Sequence, residues 1–397
     1  MRPARALGLS LLAHYRERQP ADNHFEVLAE LQQRVKEAAA QGSNKPHFQF
    51  FGSNKSGFCS KGADADMSFT FRSYDPLLHG VPRFDEQNSK KMVRLSRALV
   101  EGGFSQVKYV EARIPVISFV DAVTDIQVDV TIGNIGGVQN SAILRMIRDV
   151  HPVIPLYIHC VKEWAKAKEV IAPEKSCFNS FTVTTMALMV LQELGVLPVF
   201  TIASGQGGEL TEGDVKTTLE AWKVPAVYDG CKSSDDTMAD AIHFLLSKFA
   251  EYYAAFDTKN GTVSLLLPRR LRPMYGESAE YYMRVLADSK REAWERFHKE
   301  QGLGAVNPAE FEASMKSERI QRTVESPVVV EDFVNFVNCG RRLTAARAQP
   351  VFDEFKNLKE TMAGGTVVTA ADLFKRQNRF RNTHLNDSAS RRVRSFD

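Results

Sequence analysis

Two aspartates one residue apart, Asp64 and Asp66, lie in FFGSNKSGFCSKGADADMSFTF (residues 50–71), just past the pair Gly52-Ser53. On a strand, alternate side chains share a face, so these carboxylates project together, roughly 6–7 Å apart at Cα. Held that close, they repel one another unless a cation lies between them. Mg²⁺ (or Mn²⁺) suits such a place, because it takes one or two protein carboxylates and completes its octahedron with water and phosphate oxygens. A third carboxylate on a neighbouring strand would hold a second ion about 4 Å away. Asp125 and Asp129, on the polar side of DIQVDVTIG, are the candidates. Glycine permits close backbone approach, and a serine hydroxyl with exposed N–H groups holds phosphate. The turn would therefore grip a triphosphate while the carboxylates grip the metals that bridge it. A solvated strand end shows the same Asp-x-Asp, so the pair carries weight only together with the glycine-serine turn.

These side chains need elements to aim them. Apolar spacing predicts a helix over residues 24–40, ended by Gly42. HFQFFGS and MSFTF alternate as strands on either side of the acidic pair, and a helix is expected from Lys91 to Glu101. VKYVEARIPVISFV reads as one further strand and DIQVDVTIG as another, with Ile126, Val128 and Val130 on the apolar face. Residues 45–135 thus form a small α/β domain. Beyond Asn140 the pattern turns helical, through SAILRMIRDV, LYIHCVKEWAKAKEV, SFTVTTMALMVLQEL and DAIHFLLSKFAEYYAAF. Lys162 and Lys166 are four apart and share a helical face. A charge-laced helix is expected in the stretch between Pro268 and Ser326, which reads as an insertion.

The 397 residues exceed one ordinary core, so two domains are expected. No apolar run approaches the ~20 residues of a membrane span. Five cysteines without a CxxC pair argue for free thiols and against a structural zinc. Net charge is only +3, so affinity for a polyanion must come from local clusters. One such cluster is the arginine-rich tail from Thr369, read as a solvated end. The arginine- and leucine-bearing start, MRPARALGLSLLAHYRER, fits a short mitochondrial presequence and equally an amphipathic helix. No RRM, KH or zinc-finger pattern occurs.

Gly-Ser, a spacer, Asp-x-Asp and a distant Asp in an apolar strand resemble the signature of the DNA polymerase β-like nucleotidyltransferases. VDVTIGNIGGVQNSAILR is similar to the third-aspartate segment of that superfamily's poly(A) polymerases and terminal uridylyltransferases. VKEWAKAK, NSFTVTTMALMVLQELGVLPV and LLSKFAEYYAAFD look like successive helices of the same group. The resemblance covers roughly residues 25–345 apart from 269–325, and is closest to trypanosomatid mitochondrial uridylyltransferases. It implies an α+β bilobal fold: a small mixed-sheet catalytic lobe at 42–138, and a mainly helical lobe from 1–41 and 139–397, with the cleft between them. The helical lobe would hold a poly(A)-polymerase-associated region at 235–345 and a basic tail at 369–397.

By the same resemblance, Asp64, Asp66 and Asp129 are the metal-binding and catalytic carboxylates, which leaves Asp125 as a solvated residue. UTP contacts fall on Gly52, Ser53, Asn140, Ser141, Lys162, Lys166, Ser180, Phe181 and Asp332. Asn140-Ser141 also reads as a helix N-cap ahead of AILRMI. Arg113 is placed on the base and primer side of the cleft. Asn335 stands where an acidic residue is frequent, and Val337 where some relatives carry histidine, so charge-based choice of uracil over adenine is weakened. The implied activity is transfer of UMP from UTP to an RNA 3′-hydroxyl in mitochondrial RNA editing or processing, beside an editosome-like complex, with neither membrane nor DNA as partner. The alternatives are the same chemistry with ATP, or an inactive subunit that binds RNA or protein.

Overall fold

The computed structural model describes residues 3–40, 47–70, 86–111, 115–200, 210–232, 234–258, 261–266, 305, 308, 326–334, 338–364, 368–377 and 392–396. Arg113, Asn335, Val337 and nearly all of the expected insertion lie outside them. In chain order the elements begin with α1 (Pro3–Glu17), α2 (His24–Ala39), β1 (His47–Phe51), α3 (Gly52–Ser56), β2 (Ala65–Thr70) and α4 (Glu86–Glu101). Next come β3 (Ser105–Glu111), β4 (Val116–Asp121), β5 (Ile126–Ile132), α5 (Ile135–Arg148), α6 (Val153–Ala167) and α7 (Ser180–Glu193). The remainder are α8 (Glu212–Ala221), α9 (Asp235–Ala254), β6 (Thr262–Val263), β7 (Val329–Val330), α10 (Ala345–Ala363), α11 (Ala370–Leu373) and β8 (Arg392–Phe396). They divide into two units, residues 18–145 with 384–397, and residues 1–17 with 146–383.

The first unit is built on a six-stranded sheet of order β1-β2-β5-β4-β3-β8. β2 and β5 run parallel, and every other neighbouring pair is antiparallel. Alternation along the strands sends Phe48, Met67, Phe69, Ile117, Phe119, Val128 and Val130 into a core. α2 contributes Leu28, Leu31 and Val35 to it, and α4 Met92, Leu95 and Leu99. This corrects the placing of residues 1–41 with the helical part: α2 belongs to the sheet, because its apolar stripe is buried there. The stretch read as one strand, VKYVEARIPVISFV, is a hairpin of β3 and β4. The tail is likewise not wholly a solvated end. Arg392–Phe396 pairs with β3, and Arg394 meets Glu111 at 2.6 Å.

In the second unit, α6 is buried along most of its length, and Trp164 packs with Phe249 of α9 and Phe355 of α10. α1 lies close against α9. A Cβ on Gly8 would come within 2.1 Å of the Ala239 carbonyl oxygen, so only glycine permits that approach. Arg5 pairs with Asp240 and Arg16 with Asp235 at the ends of the contact. α1 is amphipathic, with Leu7, Leu11 and Leu12 buried. Among the described residues no helix is long and apolar enough to cross a membrane.

Candidate active site

The parallel pairing of β2 with β5 sets Asp66 directly opposite Asp129, and the β1–β2 register sets Phe51 opposite Asp66 on the other side. The chain turns at Phe51 into α3, so Gly52 arrives beside the Asp66 carboxylate. Gly52 has φ +71°, and a Cβ there would fall 2.2 Å from Asp66 Oδ2. Both the conformation and the space demand glycine. Asp64 sits one residue before β2, exposed, and not within the strand as the spacing suggested. Its carbonyl accepts a 2.8 Å hydrogen bond from the Asn54 side chain, and Asn54 Oδ1 lies 2.8 Å from His24 Nε2.

The three carboxylates bear on one another. Burial first, then the charges of Asp129 and Asp64, push the Asp66 carboxyl up to about 7. A half-buried acid whose ionisation is opposed by two neighbouring acids is a place where a divalent cation relieves repulsion. The donor set is all hard oxygen, which fits Mg²⁺ or Mn²⁺. Among the described residues no group of three or more His, Cys, Asp or Glu side chains is preassembled as a metal cage. That is compatible with Mg²⁺, which leaves several positions to water and substrate phosphate.

Two supporting residues escaped the sequence reading. Ser118 on β4 faces Asp129 in register, and its hydroxyl donates to Asp129 Oδ1. Asn54 ties α3 to the backbone of Asp64. Asp125 is a turn residue with φ +57° before β5, exposed and apart from the site.

Asn140 and Ser141 are not an N-cap. α5 starts at Ile135, where Asn134 Oδ1 accepts from the Gly137 N–H at 3.1 Å, and both residues lie buried inside the helix. The Ser141 hydroxyl donates to the Gly137 carbonyl at 2.6 Å and accepts from the Gly52 N–H at 2.8 Å. It therefore fixes the positive-φ turn from behind.

The remaining candidates belong to the helical unit. Lys162 and Lys166 lie one turn apart on α6, with Lys166 Nζ 3.6 Å from Glu163. Burial lowers His159, on the same face, to about 4, with His14, Lys162 and Lys166 adding to the effect and Glu163 opposing it. Ser180 opens α7 behind the Asn179 cap, whose side chain accepts from the Thr182 N–H at 2.8 Å. Phe181 is half-buried, its ring 5.6 Å from that of Phe333. Asp332, next along, is buried and accepts from the Val334 N–H at 3.0 Å. The helical unit therefore gathers Phe181 and Asp332 into one neighbourhood.

Residues 7–149 match the sequence pattern of the family described as "Poly(A) RNA polymerase, mitochondrial-like, central palm domain". The mitochondrial poly(A) RNA polymerase of Drosophila melanogaster is 24% identical over 262 residues, 60% of this chain and 42% of that protein. Human poly(A) RNA polymerase GLD2 is 23% identical over 151 residues, 36% of this chain and 30% of that protein. The matched stretch thus spans less than half the length of these relatives. A cytoplasmic RNA terminal U-transferase superposes with TM-score 0.63 at 18% identity, over 92% of this chain and 97% of its own. The Cid1 poly(U) polymerase, in a structure addressing UTP selectivity, gives the same figures. The fold is therefore the α+β nucleotidyltransferase fold, a mixed-sheet unit and a mainly helical one.

Proposed function

We propose that this chain is a divalent-metal-dependent RNA nucleotidyltransferase that extends RNA 3′ ends, taking UMP from UTP and releasing pyrophosphate. The observation that carries the reading is the register of Asp66 against Asp129 beside a glycine whose missing Cβ leaves room for the carboxylate. Asp64, Asp66 and Asp129 would hold Mg²⁺ or Mn²⁺, whose positive charge stabilises the attacking and leaving oxygens of an in-line displacement. With Oδ1 engaged by the Ser118 hydroxyl, Asp129 offers Oδ2 to the RNA 3′-hydroxyl and helps take its proton. Ser53 presents its backbone N–H and hydroxyl to phosphate, and Gly52, its own N–H held by Ser141, lets the phosphate approach the backbone closely. Ser141 keeps that turn in place from the protein interior, with Asn140 beside it serving the ribose and base. Lys162 and Lys166 neutralise triphosphate charge. Ser180 and Phe181 bind the nucleoside, with Phe181 stacking on the base, and Asp332 with Asn335 selects it. Arg113 serves the RNA.

UTP as the substrate is supported by likeness to uridylyltransferases across most of the chain. The ATP reading is supported by the palm-domain match and by poly(A) polymerase relatives. A mitochondrial place of action, in RNA editing or processing and beside an editosome-like complex, belongs to the same proposal. Its support is likeness to a mitochondrial polymerase. Incubating a labelled single-stranded primer with each NTP and Mg²⁺ or Mn²⁺ decides the reading. Ladders with UTP alone support it, ladders with ATP move it to poly(A) synthesis, and no ladder with any NTP overturns it. Asp129→Ala should lower extension on the order of a thousandfold while leaving the circular dichroism spectrum unchanged.

A further inference from the structure

On the sheet unit, α2, α3 and α5 enclose a groove of about 390 Å³ that includes none of the carboxylates described above. α2 gives it Phe25, Leu28, Ala29 and Gln32, the i, i+3, i+4, i+7 face of a helix. Most apolar stripes of this kind are covered by the core, and Leu28 is, but Phe25 remains 46% exposed. The Arg145 guanidinium lies over the Phe25 ring, 5.5 Å from its centroid. Phe50 of β1, half-buried, forms another wall, and Asn54 and exposed Lys55 of α3 close the side. Among the described residues the lining thus holds two cations, two aromatic rings, two side-chain amides and no carboxylate.

That composition fits one ligand chemistry. A planar base stacks on an aromatic ring or a guanidinium whatever its identity, and lysine meets the phosphates, while the Asn54 and Gln32 amides, held by His24, the Asp64 carbonyl and the Phe48 carbonyl, fix the walls. An acidic peptide would satisfy the cations and leave the aromatic faces without a planar partner. We propose that this groove is a second binding site for single-stranded RNA, holding a nucleotide upstream of the reacting 3′ end. The inference rests on the RNA-extending activity argued above. It also gives the groove a route to the chemistry: Lys55 and Asn54 share α3 with Gly52 and Ser53, and Asn54 holds the Asp64 carbonyl.

Phe25→Ala and Lys55→Glu test this in the full chain, since neither residue belongs to the proposed catalytic set. Binding of a fluorescein-labelled RNA of about 15 nucleotides, followed by anisotropy, should weaken on the order of tenfold in each variant. The slope of log affinity against log salt should be shallower for Lys55→Glu by about 0.7 or more. In extension assays the KM for that RNA should rise to match, with kcat and the KM for nucleotide unchanged and a trinucleotide primer extended as before. Unchanged affinity for the long RNA in both variants overturns the site. So does an equal loss on the trinucleotide, which would mark the residues as structural. Poly-glutamate binding that both variants abolish, with RNA binding intact, would assign the groove to acidic protein instead. Because anisotropy reads binding without turnover, a chain that extends no primer would sink the proposed activity, and the two variants would still decide whether the groove holds RNA.

Discussion

Ser118 shows how much a single hydroxyl can set at this site. It donates to one oxygen of Asp129 and thereby fixes which oxygen is left free for the role proposed above. Partners of this kind orient metal-binding side chains, and removing them typically costs 10–100-fold in metal affinity or activity. Ser118→Ala should raise the Mg²⁺ concentration needed for half-maximal extension by about that factor, with unchanged thermal stability. Asp66 gives a prediction of opposite character. Its carboxyl titrates near 7 in the folded chain, against an ordinary value of 3.8. Between those values the folded chain holds a proton that the unfolded chain has released, so stability falls as pH rises from about 4 to about 7. With EDTA present, Asp66→Asn should melt higher than the native chain at pH 8, by at most about 4 kcal/mol, and the gap should close near pH 4. Equal melting temperatures at pH 8 would show that neither burial nor the neighbouring acids oppose ionisation of Asp66.

The helices and strands were unevenly legible from sequence. β5 and its Asp129 could be read because apolar and polar residues alternate without a break from Ile126 to Val130. The β3–β4 hairpin was missed because both arms alternate in the same way and only a few residues separate them. The start of α5 was hidden by Gly136 and Gly137, which read as loop, while Asn134 supplies the cap through its side chain. Ser118 was invisible for a different reason: its partner is defined by cross-strand register, which local spacing does not carry. α2 went to the wrong unit because its stripe says that it is buried and not against what. Helix packing also yields a prediction at Gly8. Gly8→Val would drive a side chain into the Ala239 carbonyl and force α1 away from α9. The expected cost is about 3 kcal/mol or more in chemical denaturation, far above the effect of breaking the exposed Arg16–Asp235 pair.

At the scale of the whole chain, the two units carry separate cores and should respond differently to acid. His159 is held neutral in the helical unit and titrates near 4, below the ordinary 6.5. The unfolded chain therefore takes up a proton first as pH falls, and stability is lost from about pH 6.5 down through about pH 4. His159→Gln should flatten that loss in the calorimetric transition of the helical unit and leave the opposite dependence contributed by Asp66 untouched. The sheet has a dependence of another kind. Its sixth strand, β8, is separated from its partner β3 by hundreds of residues of chain. During synthesis, β3 must wait with its outer row of N–H and C=O groups bare until the ribosome has released Arg392–Phe396. Over that interval it is a template for any passing strand, and a chaperone or a premature neighbour would find it there.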